Sequence, residues 1–356
     1  MLSIISQYAS GDAYRPSVSI QIKRIHYLDD LRVLATLAVV LLHVSARYWG
    51  VEEVSSPSWL IATFYDGIVR WCVPVFVMIS GALLLDPNRS VKQGWRIKRV
   101  LIPLVIWSGI YALVDYARGV AWENALKNFL TGHYHLWYIY MLIGLYLILP
   151  LLRKITEDER HETYFLVLVF LFNFLIPQCT EILKIAMPGP GSLMEVITGK
   201  MNIQFVLGYS GYFVLGHWLH YRVLRKEQCL VLCLAGTIGI VLTVILTFTT
   251  SILTAQPEKL FFSYFTCNVL LTAIAVFVLF RSNNHSSRAD VLIKKMSDHS
   301  FGVFLIHPLV LETLGGMLPE MSLAIRIPVT ALLVFAVSLL ITALLRSVPK
   351  VGQLMT

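Results

Sequence analysis

A histidine and an arginine lie in the first long apolar segment of the chain, residues 31–48, and both are side chains that can take part in chemistry. His43 follows Arg32 by eleven positions, which places both on one face of a helix, roughly 16 Å apart along its axis. A mid-membrane arginine costs roughly 2.5–3.5 kcal/mol on insertion scales, so it usually serves a function or a packed polar cavity. His43 is a candidate general base, because imidazole gains and loses a proton near neutral pH. The alternative is a histidine that is only hydrogen-bonded to a neighbouring helix.

The second apolar segment carries Arg70 near its middle, where a cation needs a counter-charge, water or a ligand. Its guanidinium is a candidate for stabilising an oxyanion, whereas Asp66, one turn earlier, offers a simple ion pair. The same segment ends in Ser80-Gly81. We expect these two residues on the donor side, where Gly81 permits close approach of a ligand or of another helix.

Two arginines, Arg96 and Arg99, stand three residues apart at the start of the third apolar segment. They face the same way at a helix N-terminus, which is a favourable place for a phosphate group. Without further information, an ordinary cytoplasmic anchor is the stronger of the two explanations. The alternative is a site for the phosphates of a donor molecule.

The remaining candidates lie near the ends of later segments. His135 and Trp137 belong to the stretch His-Tyr-His-Leu-Trp-Tyr, which we place on the outer, acceptor side. The aromatic residues suit the membrane interface, and the His-x-His pair lacks a flanking carboxylate or cysteine at metal-ligand spacing, so we expect no metal. His307 precedes Pro308; it is a second candidate for stabilising charge, and its simplest role is a hydrogen bond to the carbonyl that the proline frees.

These residues must be positioned by membrane helices. The chain has 356 residues, of which 57% are hydrophobic and 14% charged. Apolar runs of membrane-spanning length recur throughout it. The sequence predicts an all-α integral membrane protein with about ten transmembrane helices in one bundle. The predicted spans are about 29–48, 60–85, 99–117, 134–152, 162–177, 203–221, 229–251, 260–280, 300–317 and 323–345.

Charge placement predicts the orientation and the domain limits. Most of the 29 lysines and arginines fall in alternate connections, so both termini are expected in the cytoplasm. The net charge of +8 therefore reflects topology and indicates no nucleic-acid partner. Residues 1–27 are predicted to be a cytoplasmic segment, 28–346 the transmembrane domain, and 347–356 a cytoplasmic tail. One long connection, about 178–202, contains a turn-rich Pro-Gly-Pro-Gly stretch.

Four blocks of the sequence resemble acyltransferase family 3, the bacterial integral-membrane enzymes that O-acylate surface glycans. They are Asp30-x-Arg32 with His43 following, Pro74-x-Phe76-x-Met78-Ile79-Ser80-Gly81, Arg96-x-x-Arg99-x-x-x-Pro103, and Ser300 through His307. In the last block the family often has tyrosines where this chain has Phe301 and Phe304. Leu142 stands where one branch has a glutamate, and the His-Leu-Trp-Tyr start resembles the other branch, which includes stand-alone transferases acting on O-antigen and related polysaccharides.

The resemblance implies an acetyl transfer from acetyl-CoA, as co-substrate, to a sugar hydroxyl, with Arg32 and His43 as the essential pair. The expected partners are acyl-CoA, a glycan or lipid-linked glycan acceptor and membrane lipid, in the bacterial inner membrane. His43 as general base and a transient acetyl-His43 both fit the residues. Neither the acceptor, the acyl group nor the oligomeric state follows from them.

Two other functions stay open at this point. A polysaccharide or small-molecule carrier also needs polar residues inside a helical bundle, although the chain shows no internal repeat. In an assembly partner, the same residues would serve only the association of helices.

Overall fold

The computed structural model describes residues 24–201, 208–282, 290–317 and 319–356, and these residues contain helices and no β-strand. The bounds of the α-helices in chain order are α1 His26–Trp49, α2 Pro57–Gly67, α3 Cys72–Leu84, α4 Gln93–Ala117, α5 Trp122–Thr131, α6 Trp137–Thr156, α7 Glu159–Val169, α8 Ile176–Ala186, α9 Pro188–Lys200, α10 Ser210–Tyr221, α11 Lys226–Thr254, α12 Cys267–Ser282, α13 Asp290–Leu314, α14 Leu323–Ser347 and α15 Pro349–Met355. A π-helical turn, Phe170–Leu175, joins α7 to α8, and a short 3₁₀ turn, Leu260–Phe262, precedes α12.

Seven helical segments of the described chain are long and apolar enough to cross a membrane. Two of them combine neighbouring helices, α2 with α3 and α7 with α8. The spans predicted at 29–48, 203–221 and 300–317 fall on α1, α10 and α13, although 203–207 lie outside the described residues. The all-α integral membrane architecture is thus confirmed. The number of crossings and the side of each terminus stay predictions, and most of the predicted segment 1–27 also lies outside the description.

The long connection predicted at about 178–202 is mostly helical. Its first part continues α8 to Ala186, and a further helix, α9, begins at Pro188. Proline suits the first turn of a helix, because the backbone N–H that it lacks would have no partner there. The turn-rich composition therefore marks the sharp turn between two packed helices, where Gly191 lies so close to Lys184 that a Cβ would be 2.5 Å from its backbone nitrogen.

Helix α1 is the central element of the bundle. It contacts α2, α3, α12, α13 and α14, and many of its side chains are buried. Arg32 and His43 consequently face protein rather than lipid. This arrangement satisfies the requirement that ionisable groups in a membrane helix face a partner or a cavity.

Helices α3 and α10 cross with their backbones in contact. A Cβ on Gly81 would lie 1.7 Å from the carbonyl oxygen of Phe213, and a Cβ on Gly216 would lie 2.0 Å from that of Met78. Only glycine fits at such positions, as in other membrane helix interfaces built on small residues. This crossing fixes the face of α3 that is turned toward α1.

Candidate active site

A cavity of about 160 Å³ lies between α1, α3, α6 and α13. Five of the candidate residues line it: Arg32, His43, Ser80, His135 and Trp137. The other lining residues are largely apolar or aromatic: Val39, Leu42, Val73, Phe76, Tyr138, Leu142, Tyr264, Ser300, Phe301 and Phe304. The cavity thus runs along the α1 face that the Arg32–His43 spacing predicted.

One wall of the cavity contains His43, and His307 lies directly behind it. The distance from His43 Nδ1 to His307 Nε2 is 2.7 Å, and the rings are stacked with centroids 4.9 Å apart. His307 is fully buried, whereas His43 is partly exposed. Residue spacing does not predict the contact between these two histidines, because they lie on distant helices, α1 and α13.

The hydrogen bonds of His307 determine which nitrogen of His43 is free. His307 Nδ1 lies 2.8 Å from the carbonyl oxygen of Phe304, the carbonyl that Pro308 leaves without a helical N–H. A carbonyl only accepts, so Nδ1 of His307 carries the proton, and Nε2 of the neutral ring accepts from His43 Nδ1–H. His43 Nε2 is then unprotonated, with no hydrogen bond to the described residues, and it is the nitrogen left for the cavity. The sequence predicted the bond to the carbonyl freed by Pro308; its consequence for His43 emerges from the structure.

A network of polar groups holds Arg32 at the other end of the cavity. Its Nη1 donates to Ser297 Oγ at 2.8 Å and to Asp29 Oδ1 at 3.2 Å. Ser297 donates in turn to Asp29 at 2.7 Å. The carboxylate compensates the arginine charge, so that a fixed guanidinium lines the cavity without an isolated ion in the bundle.

The adjacent residues Ser80 and Gly81 point in different directions. Ser80 lines the cavity and donates to the carbonyl of Phe76 at 3.0 Å. Gly81 packs against Phe213 and does not line it. Of the two roles that the sequence offered for this glycine, the structure favours close approach of a helix, because neighbouring helical residues point about 100° apart.

Arg70 does not line the cavity. Its Nη2 lies 2.5 Å from Asp66 Oδ1, and its guanidinium carbon lies 4.2 Å from the ring centroid of Phe262. The ion pair considered from the sequence is therefore present, while the oxyanion role predicted for Arg70 finds no support in its position. Asp66 is fully buried and Arg70 nearly so, which makes the pair a structural neutralisation of charge.

Arg96 and Arg99 lie near the end of the cavity that contains Arg32. Arg96, Arg99 and Arg32 are all within electrostatic range of the Tyr146 hydroxyl. The start of α4 is fixed on α6, because Gln93 Nε2 donates at 2.7 Å to the carbonyl of Tyr146, which Pro150 leaves free. Arg99 is exposed and lies 5.3 Å from the ring centroid of Trp95. Neither arginine lines the cavity.

Several lining residues were not among the sequence-derived candidates. Tyr138 and Tyr264 line the middle of the cavity, and the Trp137 and Tyr264 rings stack with centroids 6.1 Å apart. Leu142, Phe301 and Phe304 form apolar wall. A glutamate at position 142 would therefore place a carboxylate in the cavity, and this chain has an apolar side chain there instead. Sequence periodicity does not show which residues of a helix line a cavity when every face of the helix is apolar.

The sequence of the chain was compared with those of known protein families. The fold and the cavity define a multi-pass membrane protein with a polar, histidine-lined interior, and the family model described as an acyltransferase domain matches residues 25–346. The chain belongs to the acyltransferase 3 family and is a membrane acyltransferase. The family predicted from the four sequence blocks is confirmed.

Part of the chain is similar in sequence to a known bacterial protein. Over 228 residues the chain is 26% identical to glucans biosynthesis protein C of Salmonella gallinarum (strain 287/91 / NCTC 13346), a match that covers 56% of this chain and 59% of the relative. The chain thus spans less than two thirds of the length of that relative. No solved structure matches the chain at a comparable level of significance.

Proposed function

We propose that the chain is an O-acyltransferase of the bacterial inner membrane, which moves acetyl from cytoplasmic acetyl-CoA to a hydroxyl of a cell-surface polysaccharide, O-antigen or a related lipid-linked glycan. The observation that carries the proposal is the His43–His307 pair. It leaves one unprotonated imidazole nitrogen on the wall of a cavity whose other end holds Arg32. An acyltransferase needs such a base at the acceptor hydroxyl.

The proposed reaction accounts for both the proton and the acetyl group. His43 Nε2 takes the proton of the acceptor hydroxyl as its oxygen bonds to the thioester carbonyl carbon. The tetrahedral intermediate then collapses, the carbon–sulfur bond breaks, and the proton on Nε2 passes to the sulfur of CoA. No net charge remains on the enzyme, so an apolar surrounding is compatible with the reaction. General-base action of this kind contributes about 10²–10⁴-fold in rate.

The donor is proposed to enter from the cytoplasmic side. Arg96 and Arg99 offer cations to the phosphates of CoA, and Arg32 guides the narrow pantetheine arm toward the cavity. Ser80 offers a hydroxyl on the route. The cavity is smaller than the roughly 300–1,000 Å³ of a pocket that encloses a whole drug-sized ligand, which suits the thioester end alone.

The acceptor is proposed to enter from the outer side. His43 lies about three helical turns from Arg32, toward the Trp49 end of α1, and it lines the cavity together with His135 and Trp137 near the start of α6. The aromatic side chains there suit the apolar faces of sugar rings. The name of the relative concerns glucan synthesis, which supports a polysaccharide acceptor.

The test is transfer of label from [acetyl-¹⁴C]acetyl-CoA to envelope glycan in membranes that contain the full chain, with membranes lacking the chain as control. We expect labelled glycan only where the chain is present. Label retained on protein that is denatured rapidly at neutral pH in the absence of acceptor, and lost on acid treatment and in His43→Ala, would establish the acetyl-His43 variant. Absence of any label from glycan and protein, with donor and glycan supplied, would favour the carrier.

A further inference from the structure

A second cavity lies outside the one that contains His43. It is a groove of about 810 Å³ between the first turns of α4 and the helix α15. Helix α15 packs against α4, where Trp107 Nε1 donates at 3.0 Å to the carbonyl of Met355. The segment predicted from the sequence as a cytoplasmic tail therefore supplies one wall of this groove, through Pro349, Gly352 and Leu354.

The groove is basic. Lys98 and Arg99 on α4 and Arg346 at the end of α14 all line it, and none of its lining residues is an aspartate or a glutamate. Lys98 and Arg99 are exposed. Cations of one sign in a concave site attract a polyanion, and the guanidinium fork in particular matches the oxygens of a phosphate group.

An aromatic ring lies beside these cations. Trp95 lines the groove and is 56% exposed, and the guanidinium carbon of Arg99 lies 5.3 Å from its ring centroid. An exposed indole is a stacking platform for a nucleobase, and basic groups next to it bind the phosphates that the base carries. The volume lies within the roughly 300–1,000 Å³ typical of a pocket for a drug-sized ligand, which suits a nucleotide.

The groove is a neighbour of the Arg32 end of the candidate active site. Arg346 Nη1 donates to the carbonyl of Asp298, and the preceding residue, Ser297, accepts from Arg32. Adjacent residues of α13 thus contact an arginine of the groove and the arginine of the cavity. This proximity is what a ligand needs if its nucleotide lies in the groove and its other end reaches the cavity.

We propose that this groove binds the nucleotide end of the acyl-CoA donor, with Lys98, Arg99 and Arg346 at its phosphates and the Trp95 ring stacked on its adenine. The proposal rests on the acyltransferase function proposed above and deepens it, because it makes α15 part of the donor site. The phosphate headgroup of an anionic membrane lipid shares the phosphate chemistry but has no base to stack. The exposed indole therefore favours the nucleotide.

The test measures equilibrium binding of radiolabelled acetyl-CoA to the full chain in phosphatidylcholine nanodiscs, without any acceptor. We expect Lys98→Ala and Arg346→Ala each to raise the Kd about three- to tenfold. Trp95→Leu should raise it at least about fivefold, whereas Trp95→Phe should stay within about threefold of the wild type because it keeps a ring for stacking. Since Lys98 and Trp95 are exposed, their variants test the groove even if Arg346→Ala disturbs α13.

A competitor identifies the part of the donor that the groove binds. Unlabelled 3′-phospho-ADP, which is CoA without its pantetheine arm, should displace acetyl-CoA from the wild type. Its affinity should fall in Trp95→Leu by about the same factor as that of acetyl-CoA.

The matched controls are Lys226→Ala and Trp122→Leu. Lys226 is an exposed lysine at the start of α11, and Trp122 is 62% exposed at the start of α5. Neither residue lines the groove, so both variants should bind acetyl-CoA within twofold of the wild type.

The outcomes distinguish this proposal from the function on which it rests. Wild type that binds and transfers acetyl, with a Kd unchanged in Lys98→Ala and Trp95→Leu, would overturn the groove as the nucleotide site and leave the acyltransferase in place. Loss of co-purified phosphatidylglycerol from those variants, with unchanged affinity for acetyl-CoA, would assign the groove to a lipid headgroup instead. Wild type that binds no acetyl-CoA would remove the proposed donor and this site together.

Discussion

The hydrogen bond between His307 and His43 permits a quantitative prediction. The perturbation is His307→Leu, which removes the acceptor of His43 Nδ1–H while filling most of the volume. Two buried groups lose their partner, His43 Nδ1 and the carbonyl of Phe304. His307→Gln is the matched variant, because its amide oxygen can still accept from His43.

The expected size follows from the contacts. A hydrogen bond in a buried network contributes about 0.5–1.5 kcal/mol, or about two- to tenfold in the population of the reactive tautomer and orientation of His43. Loss of the stacking support adds to this, so we expect kcat to fall about 10- to 100-fold in His307→Leu. The fall should stay smaller than the roughly 10²–10⁴-fold cost of removing the base. The KM for acetyl-CoA should change less than twofold, because His307 does not line the cavity.

The assay is the initial rate of labelled acetyl transfer in membranes, at protein amounts matched by immunoblot, together with thermal stability in detergent. His307→Gln should keep kcat within about threefold of the wild type. A kcat for His307→Leu within twofold of the wild type would refute the tautomer argument. A loss equal to that of His43→Ala would also refute it, because His307 would then act on the substrate itself.

Three further predictions concern packing and the donor side. Gly81→Ala should destabilise the bundle by about 1–3 kcal/mol, because a Cβ would lie 1.7 Å from the carbonyl oxygen of Phe213. A melting temperature in detergent equal to that of the wild type would contradict this prediction. Arg99→Ala should raise the KM for acetyl-CoA about three- to tenfold but not that for S-acetylpantetheine, which lacks the nucleotide. The control Arg222→Ala removes a cation that lies at the same 5.3 Å from a tryptophan ring, and it should change neither KM. Equal effects of the two variants would refute a donor role for Arg99. Arg32→Lys should lower transfer at least about tenfold, because Nη1 alone makes the contacts to Asp29 and Ser297 and a lysine lacks the further guanidinium N–H groups that are left for the donor. Near-normal transfer would favour a purely structural role.

The sequence predicted the elements and one face of the site. Long apolar runs determine where helices form, and helical geometry alone places Arg32 and His43 on the same side of α1. The hydrogen bond at the carbonyl freed by Pro308 followed from the missing N–H of proline. These predictions depend on local geometry, which a single sequence contains.

Contacts between distant segments could not be predicted in this way. Gly81 and Ser80 are adjacent, yet which of them meets α10 and which meets the cavity depends on the position of a helix far along the chain. The same holds for Arg70, whose mid-membrane charge indicated a function but is neutralised by Asp66. Pairing of His133 with Glu312 joins α13 to the segment before α6, and no periodicity indicates it.

The central claim is that His43 Nε2 takes the proton of the acceptor hydroxyl. The most direct measurement is the rate of acetyl transfer from labelled acetyl-CoA to envelope glycan by His43→Ala, beside the wild type and the control His217→Gln, at matched protein amounts. The account predicts a loss of about 10²–10⁴-fold in His43→Ala and a near-normal rate in the control. Undiminished transfer by His43→Ala would contradict it.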